Sequence, residues 1–292
     1  MSAALPIAAR RGDALRLAVR GNPLLVAGLL IAAVLVTIAA FAPLIAPYPG
    51  DAGSATHPLD SFLAPSSRHW FGTDDVGRDV FSRVLYGARI SLSIAAVVIL
   101  CSSIVGIPLG ITAGYFGGIV DNLLMRVTDI FLAFPALLLA LALASVLTPS
   151  VGNATLAIAV TWWPWYARLA RGQAASIAGR PYIESCRALG ISPLRTLFRH
   201  VLPNSVTPVI VQASLDVGGV ILTAAALSFL GLGAQDPTPE WGLLVSEGES
   251  YFTTQWWLVT FPGAAILITA LAFNLVGDGL RDRLDPRRVI RR

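Results

Sequence analysis

Three histidines (His57, His69, His200) and two cysteines (Cys101, Cys186) are the soft ligands and nucleophiles of this sequence. The histidines are too scattered to share a metal ion. Cys101 lies in an apolar run and Cys186 in a polar stretch, so both are expected to remain free thiols. Lysine is absent, and all 21 basic residues are arginine. That removes P-loop and Schiff-base chemistry. The chain therefore cannot hydrolyse ATP through a Walker A motif of its own. No catalytic constellation emerges, and the chain reads as a non-enzyme. Two carboxylates do stand out, because each sits in apolar surroundings: Asp129 in "RVTDIFLAFP" and Asp216 in "QASLDVGGV". An ionisable group inside a membrane span is a functional candidate. For Asp129 a salt bridge with Arg126, three residues earlier, is expected. Asp216 lies deeper, with Gln212 one turn back. It has two readings, a buried hydrogen bond to a neighbouring span or a place on a translocation path. Asp129, Gln212 and Asp216 are the candidate path residues.

The elements that would position these groups follow from composition. The chain has 292 residues, of which 55% are hydrophobic and 13% charged, and its mean hydropathy is +0.70. Soluble domains carry about 25% charged residues, so this chain is expected to face lipid. A spanning helix needs about 20 apolar residues. Six runs qualify: 24–46, 90–113, 123–147, 154–169, 206–230 and 256–276. The first run is too long for a cleaved signal peptide. The predicted organisation is an N-terminal segment 1–23, a first span 24–46, an extracytoplasmic segment 47–88, a five-helix transmembrane domain 89–278 containing the loop 170–204, and a tail 279–292.

Arginine placement gives the orientation. With both termini in the cytoplasm, 17 of the 21 arginines lie inside, and only Arg68, Arg78, Arg83 and Arg89 lie outside. The basic pI of about 9.5 then reports topology and does not imply nucleic acid. Gly106 and Gly110 form a G-x-x-x-G pair suited to helix packing. Pro108, Pro135, Pro208 and Pro262 permit kinks. Trp70, Phe71, Trp162, Trp163, Trp165, Trp256 and Trp257 are expected at the lipid–water boundary. Residues 66–89 mix apolar and charged positions, and two helical readings are open. One is a folded extracytoplasmic helix at the pore mouth or at a binding protein. The other is a helix skimming the membrane.

The polar stretch "YIESCRALGISPLRTLFRHVLPN", residues 182–204, lies between apolar runs on the cytoplasmic side of this topology. Pro181 suits a first helical turn. The run 181–189 has no breaker, and Gly190 suits the left-handed position that ends a helix. Ser192 can cap a second helix with Pro193 at its start, and Pro203 is expected to stop it. Tyr182, Cys186 and Leu189 are expected to line one side of the first helix, with Glu184 and Arg187 facing a polar partner. A helix this short is marginal alone in water. It needs either a partner protein or the headgroup layer.

The stretch resembles the EAA loop of permease subunits of ATP-binding cassette importers. Glu184, Gly190, Leu202 and Pro203 fall at the family positions, while Ser185 and Cys186 replace two alanines. "HWFGTDDVGRDVFSRVLYGARISL", "GYFGG", "FPALLLALAL", "ALSFLGLG" with "PTPEWG", and "NLVGDGLRDRLDP" look like the C-type permease subunit of dipeptide, oligopeptide and nickel importers. This resemblance covers about residues 20–287. It implies an all-α, type I importer permease fold with six spans. It also implies a coupling helix at 181–189 that docks on an ATPase subunit through Tyr182, Glu184, Ser185, Cys186, Arg187, Leu189, Gly190 and Pro203. The implied partners are a homologous second permease subunit, two ATPase subunits carrying ATP and Mg, an extracytoplasmic solute-binding protein and lipid, with no nucleic acid. Peptides are the implied substrate, and nickel and glutathione are the alternatives. A stand-alone secondary transporter would show more spans, inverted repeats and midplane charges, and six spans with no internal repeat weigh against it; a membrane enzyme would show paired catalytic groups, and none appear.

Overall fold

A computed structural model describes residues 23–284. Arg10, Arg11, Arg16 and Arg20, and the tail beyond Leu284, lie outside the described residues. The described chain is almost wholly helical. Helix α1 covers Pro23–Ile45, α2 Val80–Phe116, α3 Gly118–Leu132, α4 Ala136–Val146 and α5 Val151–Ala178. Helix α6 covers Pro181–Ala188 and α7 Pro193–Thr196, followed by a π-helical turn over Leu197–Val201. Then come α8 (Leu202–Phe229), α9 (Trp241–Glu249) and α10 (Trp257–Leu284).

Four helical stretches are long and apolar enough to cross a membrane: α1, α2, the continuous run 193–229 that ends in α8, and α10. Helices α3 and α4 add a fifth if they form one span, bent by 81° at a break that contains Pro135. The predicted fourth span, 154–169, falls inside α5, whose C-terminal half carries Arg168, Arg171 and Gln173. Exposed Leu30, Val34, Leu100, Ile104, Leu222 and Leu267 give the bundle an apolar outer surface.

The core seam joins α2 to α5. Ser102 donates its hydroxyl to the Ala159 carbonyl at 3.2 Å. One, two and three turns further on, Gly106, Gly110 and Gly114 meet the backbone at Trp163, Ala167 and Arg171. The offset stays constant at 57 residues along the whole seam, so the two helices run parallel. A Cβ at any of the three glycines would come within 3.0 Å of a carbonyl oxygen on α5. Close backbone approach through small residues is how helices associate where water supplies no driving force between them. The G-x-x-x-G pair read from the sequence is thus one part of a longer helix-packing stripe.

Residues 47–79 form an irregular cap with two short 3₁₀ turns. No helix covers 66–79, and α2 begins at Val80, ten residues before the predicted span. The start is set locally: Asp79 accepts a hydrogen bond from the Ser82 N–H at 2.8 Å, which makes it the N-cap. His69 Nδ1 lies 2.9 Å from Asp79, and His57 Nε2 lies 3.0 Å from Asp51. Both histidines are therefore engaged with carboxylates inside the cap. Trp257, expected at the lipid boundary, is buried and donates to the Thr73 carbonyl at 3.2 Å. Phe71 stacks on Phe261 with 3.7 Å between ring centroids. Trp241 is fully buried and donates to the Val84 carbonyl at 2.9 Å.

Arg78 and Arg83 are also buried. The Asp74 carboxylate accepts from Arg78 Nε at 2.7 Å and from Arg83 Nη1 at 2.8 Å. Arg78 reaches Asp236 at 2.7 Å, and Arg83 reaches Glu247 on α9 at 3.1 Å. This network ties the cap to the loop before α9. Burial outweighs the attraction of Arg83 and pushes the Glu247 carboxyl up to about 7. A free glutamate titrates near 4.3, roughly. Between those values the folded state holds a proton that the unfolded chain has released, so stability falls as pH rises through this window. The thermal midpoint of the detergent-solubilised protein is expected to drop from about pH 5 to about pH 8. Glu247→Gln should flatten that slope, and an unchanged slope in the variant would contradict the assignment.

Candidate functional site

Helix α6 and its elbow form an exposed polar feature at the end of the bundle that carries Arg168 and Arg171. Pro181 opens the helix. At its far end the Gly190 N–H donates to the Arg187 carbonyl and the Ile191 N–H to the Cys186 carbonyl, each at 3.0 Å. Gly190 adopts φ +70°. This is a Schellman stop, and its left-handed residue favours glycine. Ser192 then accepts from the Arg195 N–H at 3.3 Å and caps α7, with Pro193 in the first turn. The helix, elbow and helix expected from the sequence are present, and the first helix ends at Ala188, one residue early.

Two details differ from expectation. Pro203 does not stop the second helix. The chain runs on as α8, because the π-helical turn ahead of the proline shifts the register: Leu202 N–H bonds to Leu197 O, five residues back. That widening makes room for a ring that would clash in a regular α-helix. The inner face of α6 is also not the predicted one. Ile183 is fully buried against Leu197, Val201, Ala174, Ile177, Ile111 and Tyr115. Arg187, one turn on, is exposed and holds its guanidinium 5.4 Å from the Tyr115 ring centroid, a cation–π distance. Cys186 is half-buried. Tyr182, Glu184, Ser185 and Leu189 point away from the bundle, with Leu189 79% exposed. Ser185 donates to the Pro181 carbonyl at 3.1 Å, and Tyr182 meets the edge of His200. Fixing the helix start at Pro181 puts Ile183, Cys186 and Arg187, three and four residues apart, on one side. Sequence reading missed Ile183; its signal was that it is the one β-branched residue in the helix.

The arrangement is a short rigid rod seated on the ends of α2 and α5 with a free outer face. Exposed Leu194 and Phe198 extend that face. Beside it, Arg171 grips Asp121 of α3 with two bonds, one of 3.0 Å. Asp129 pairs with Arg168 of α5 and not with Arg126. The inter-helix pair wins because α3 crosses α5 there.

Asp216 lies midway along α8. Gln212 donates to its Oδ1 at 2.8 Å within the same helix, and Tyr166 and Trp162 of the neighbouring α5 also face the carboxylate. The other oxygen, Oδ2, and the Tyr166 hydroxyl on α5 are both buried and face each other across the α5–α8 contact.

Comparison with known proteins places this geometry. The family described as binding-protein-dependent transport system inner membrane component matches residues 106–290. The N-terminal TM domain of oligopeptide transport permease C matches residues 12–65. The dipeptide transport system permease protein DppC of Escherichia coli (strain K12) is 50% identical over 269 residues, covering 90% of this chain and 88% of that one. The probable D,D-dipeptide transport system permease protein DdpC of the same strain is 47% identical over 268 residues, covering 92% and 89%. The glutathione transport system permease protein GsiD of Pectobacterium atrosepticum is 43% identical over 262 residues, covering 90% and 86%. A solved inward-facing structure of the MetNI methionine ABC transporter shares the fold at a TM-score of 0.53 and 16% identity, covering 72% of this chain and 96% of that one. The chain belongs to the binding-protein-dependent transport system inner membrane component family, as a multi-pass permease subunit of the bacterial inner membrane.

Proposed function

We propose that this chain is one permease subunit of an ATP-binding cassette importer that moves dipeptides and oligopeptides inward, driven by ATP hydrolysis in separate subunits. The observation that carries this reading is α6, a preorganised rod whose outer face is unoccupied by the rest of the chain. In this reading α6 is the coupling helix, seated in a groove of an ATPase subunit through Tyr182, Glu184, Ser185 and Leu189. A homologous second permease and a second ATPase subunit complete the channel, and a solute-binding protein delivers substrate to the cap. ATP and Mg belong to the ATPase partners. With α3–α4 and α5 each counted as a crossing, the chain spans six times with both termini and α6 in the cytoplasm, as the arginine distribution favours. Asp216 and Gln212 stand on the path.

Peptide cargo is supported by the dipeptide relatives. Glutathione, itself a peptide, is the second reading, supported by the relative named for it. The test is reconstitution of the full transporter in proteoliposomes with its binding protein. Uptake of a labelled dipeptide is expected only with ATP on the side of α6, and the ATPase subunits should co-purify with this chain. Accumulation without ATP would overturn the reading.

A further inference from the structure

A groove of about 710 Å³ runs along α8 and α10, with Gly242 and Val245 of α9 at its outer end. Helix α8 lines it with Gly218, Leu222, Ala225 and Phe229. Helix α10 lines it with Gly263, Leu267, Ala270 and Asn274. Both sets repeat at i, i+4, i+7 and i+11, so each is a single helical stripe. The two stripes run antiparallel, with Gly218 against Ala270. Glycine and alanine make the floor, and exposed Leu222 and Leu267 stand beside it. The opposite faces of both helices are covered by the chain itself. Helix α1 packs on α10, where Gly28 meets Ala272 and Gly279 meets Leu25. Val220, Ile221, Ala224 and Leu227 of α8 are buried in the core.

Length and chemistry select the occupant. From Gly263 to Asn274 the groove follows about 16 Å of helix rise, three turns. A floor of small residues lets a second helix come close where water drives no contact. An apolar trough can also take a lipid acyl chain, and Asn274 decides between the two. Its side chain lines the groove, is exposed, and forms no hydrogen bond among the described residues. It lies 17 residues past Trp257, about 26 Å of helix rise, inside the roughly 30 Å hydrocarbon core. An acyl chain gives an amide no partner, and an unpaired amide in hydrocarbon is costly. A neighbouring helix can give one, and asparagine bonds across helices in this way. The same face also continues toward α6. Leu215, one turn before Gly218, and Gln212, read above as a path residue, line the next cavity, of about 440 Å³.

We infer that the α8–α10 groove seats a transmembrane helix of the second permease subunit, which packs bulky apolar side chains between the two stripes and hydrogen-bonds to Asn274. The inference rests on the two-permease reading and adds to it the surface that holds the partner. It puts subunit contact and path on one face of α8, the contact toward the cap and the path toward α6.

The experiment uses this chain co-expressed with the second permease and both ATPase subunits, purified in lipid nanodiscs. In a Cys101→Ser, Cys186→Ser background, a benzophenone is attached to a single cysteine at Leu222→Cys, Leu267→Cys or Leu100→Cys. Leu100 is exposed on α2, away from the groove, and serves as the control. Irradiation followed by mass spectrometry should join the two groove positions to the second permease and the control to phospholipid. Gly263→Trp fills the floor from a position where a Cβ meets nothing within 4 Å. It should lower the second permease recovered with this chain at least about tenfold, while the tagged chain alone keeps its monodisperse peak. Asn274→Leu should lower that recovery about threefold, the loss of one hydrogen bond between helices. Groove adducts mainly with phospholipid, or with a second copy of this chain, overturn the inference and do not depend on the bulky variant folding. Wild-type recovery in Gly263→Trp overturns it as well. Either result, with the second permease still recovered by the wild type, leaves the two-permease reading standing. A wild type that brings down no second permease sinks both.

Discussion

Gly110→Leu is expected to leave essentially no folded protein in the membrane. Gly110 lies at the tightest point of the α2–α5 seam, where a Cβ would overlap the Ala167 carbonyl oxygen and crowd Ala170. The obstacle is backbone, which cannot rotate away as a side chain can. Overpacking a well-filled core costs about 1–3 kcal/mol when neighbours can shift. Here the two longest-paired helices must separate, and separation also breaks the contacts at Gly106, Gly114 and Ser102. Since whole-domain stability is about 5–15 kcal/mol, a cost several times the usual overpacking value removes most of it. Fluorescence-detected size exclusion of a tagged protein should show loss of the monodisperse peak. Gly152→Ala is the control, because a Cβ there meets nothing within 4 Å, and its peak should match the wild type. A normal peak for Gly110→Leu would mean that the parallel seam is not what holds α2 to α5.

The seam also shows where sequence reading reached and where it stopped. Gly106 and Gly110 were legible as a packing pair because the signal sits within one helix. Their partners on α5 were not, because nothing local encodes a constant offset of 57 residues. The elbow was legible residue by residue. Pro181, Gly190, Ser192 and Pro193 act on backbone groups a few positions away, and each does in the structure what its chemistry requires.

Long-range burial of charge was the opposite case. Arg78 and Arg83 sit in the segment 66–89, whose mix of apolar and charged positions reads as an extracytoplasmic or membrane-skimming helix. They are buried because Asp236 and Glu247, 158 and 164 residues away, come back to meet them. Pro203 read as a stop because a proline inside an α-helix clashes with the carbonyl four residues back, and a single π-helical turn relieves that clash without breaking the span. Asp129 was assigned Arg126 for its nearness in sequence, whereas the crossing of α3 over α5 offers Arg168 instead. The phase of α6 was legible in principle from Pro181. It was misread because Tyr182, Cys186 and Leu189 were taken together as one side of the helix, which left Ile183 out.

That phase decides the second large effect. Glu184→Arg is expected to abolish ATP-driven uptake while the protein still inserts and assembles its own fold. Glu184 is exposed on the outer face of α6 and forms no ion pair among the described residues. Reversing its charge should therefore leave Ile183 and the Schellman stop in place. If the outer face docks in an ATPase groove, a reversed charge at its centre costs several kcal/mol through like-charge contact or an unpaired buried group. At about 1.4 kcal/mol per tenfold, uptake should fall by about a hundredfold or more. ATP hydrolysis by the partner subunits should persist at its basal rate and lose its stimulation by loaded binding protein. Gly190→Pro makes the same prediction by a different route. Proline cannot adopt φ +70° and has no N–H to give the Arg187 carbonyl, so the rod loses its fixed end, yet no side chain packs at that position. Ile183→Asp separates the inner face from the outer one: it should unseat α6 from Tyr115 and Val201 and lower thermal stability, which Glu184→Arg should not. Two outcomes would break the assignment of α6 as the lever: full uptake in Glu184→Arg, or a matching drop in thermal stability in Glu184→Arg and Ile183→Asp.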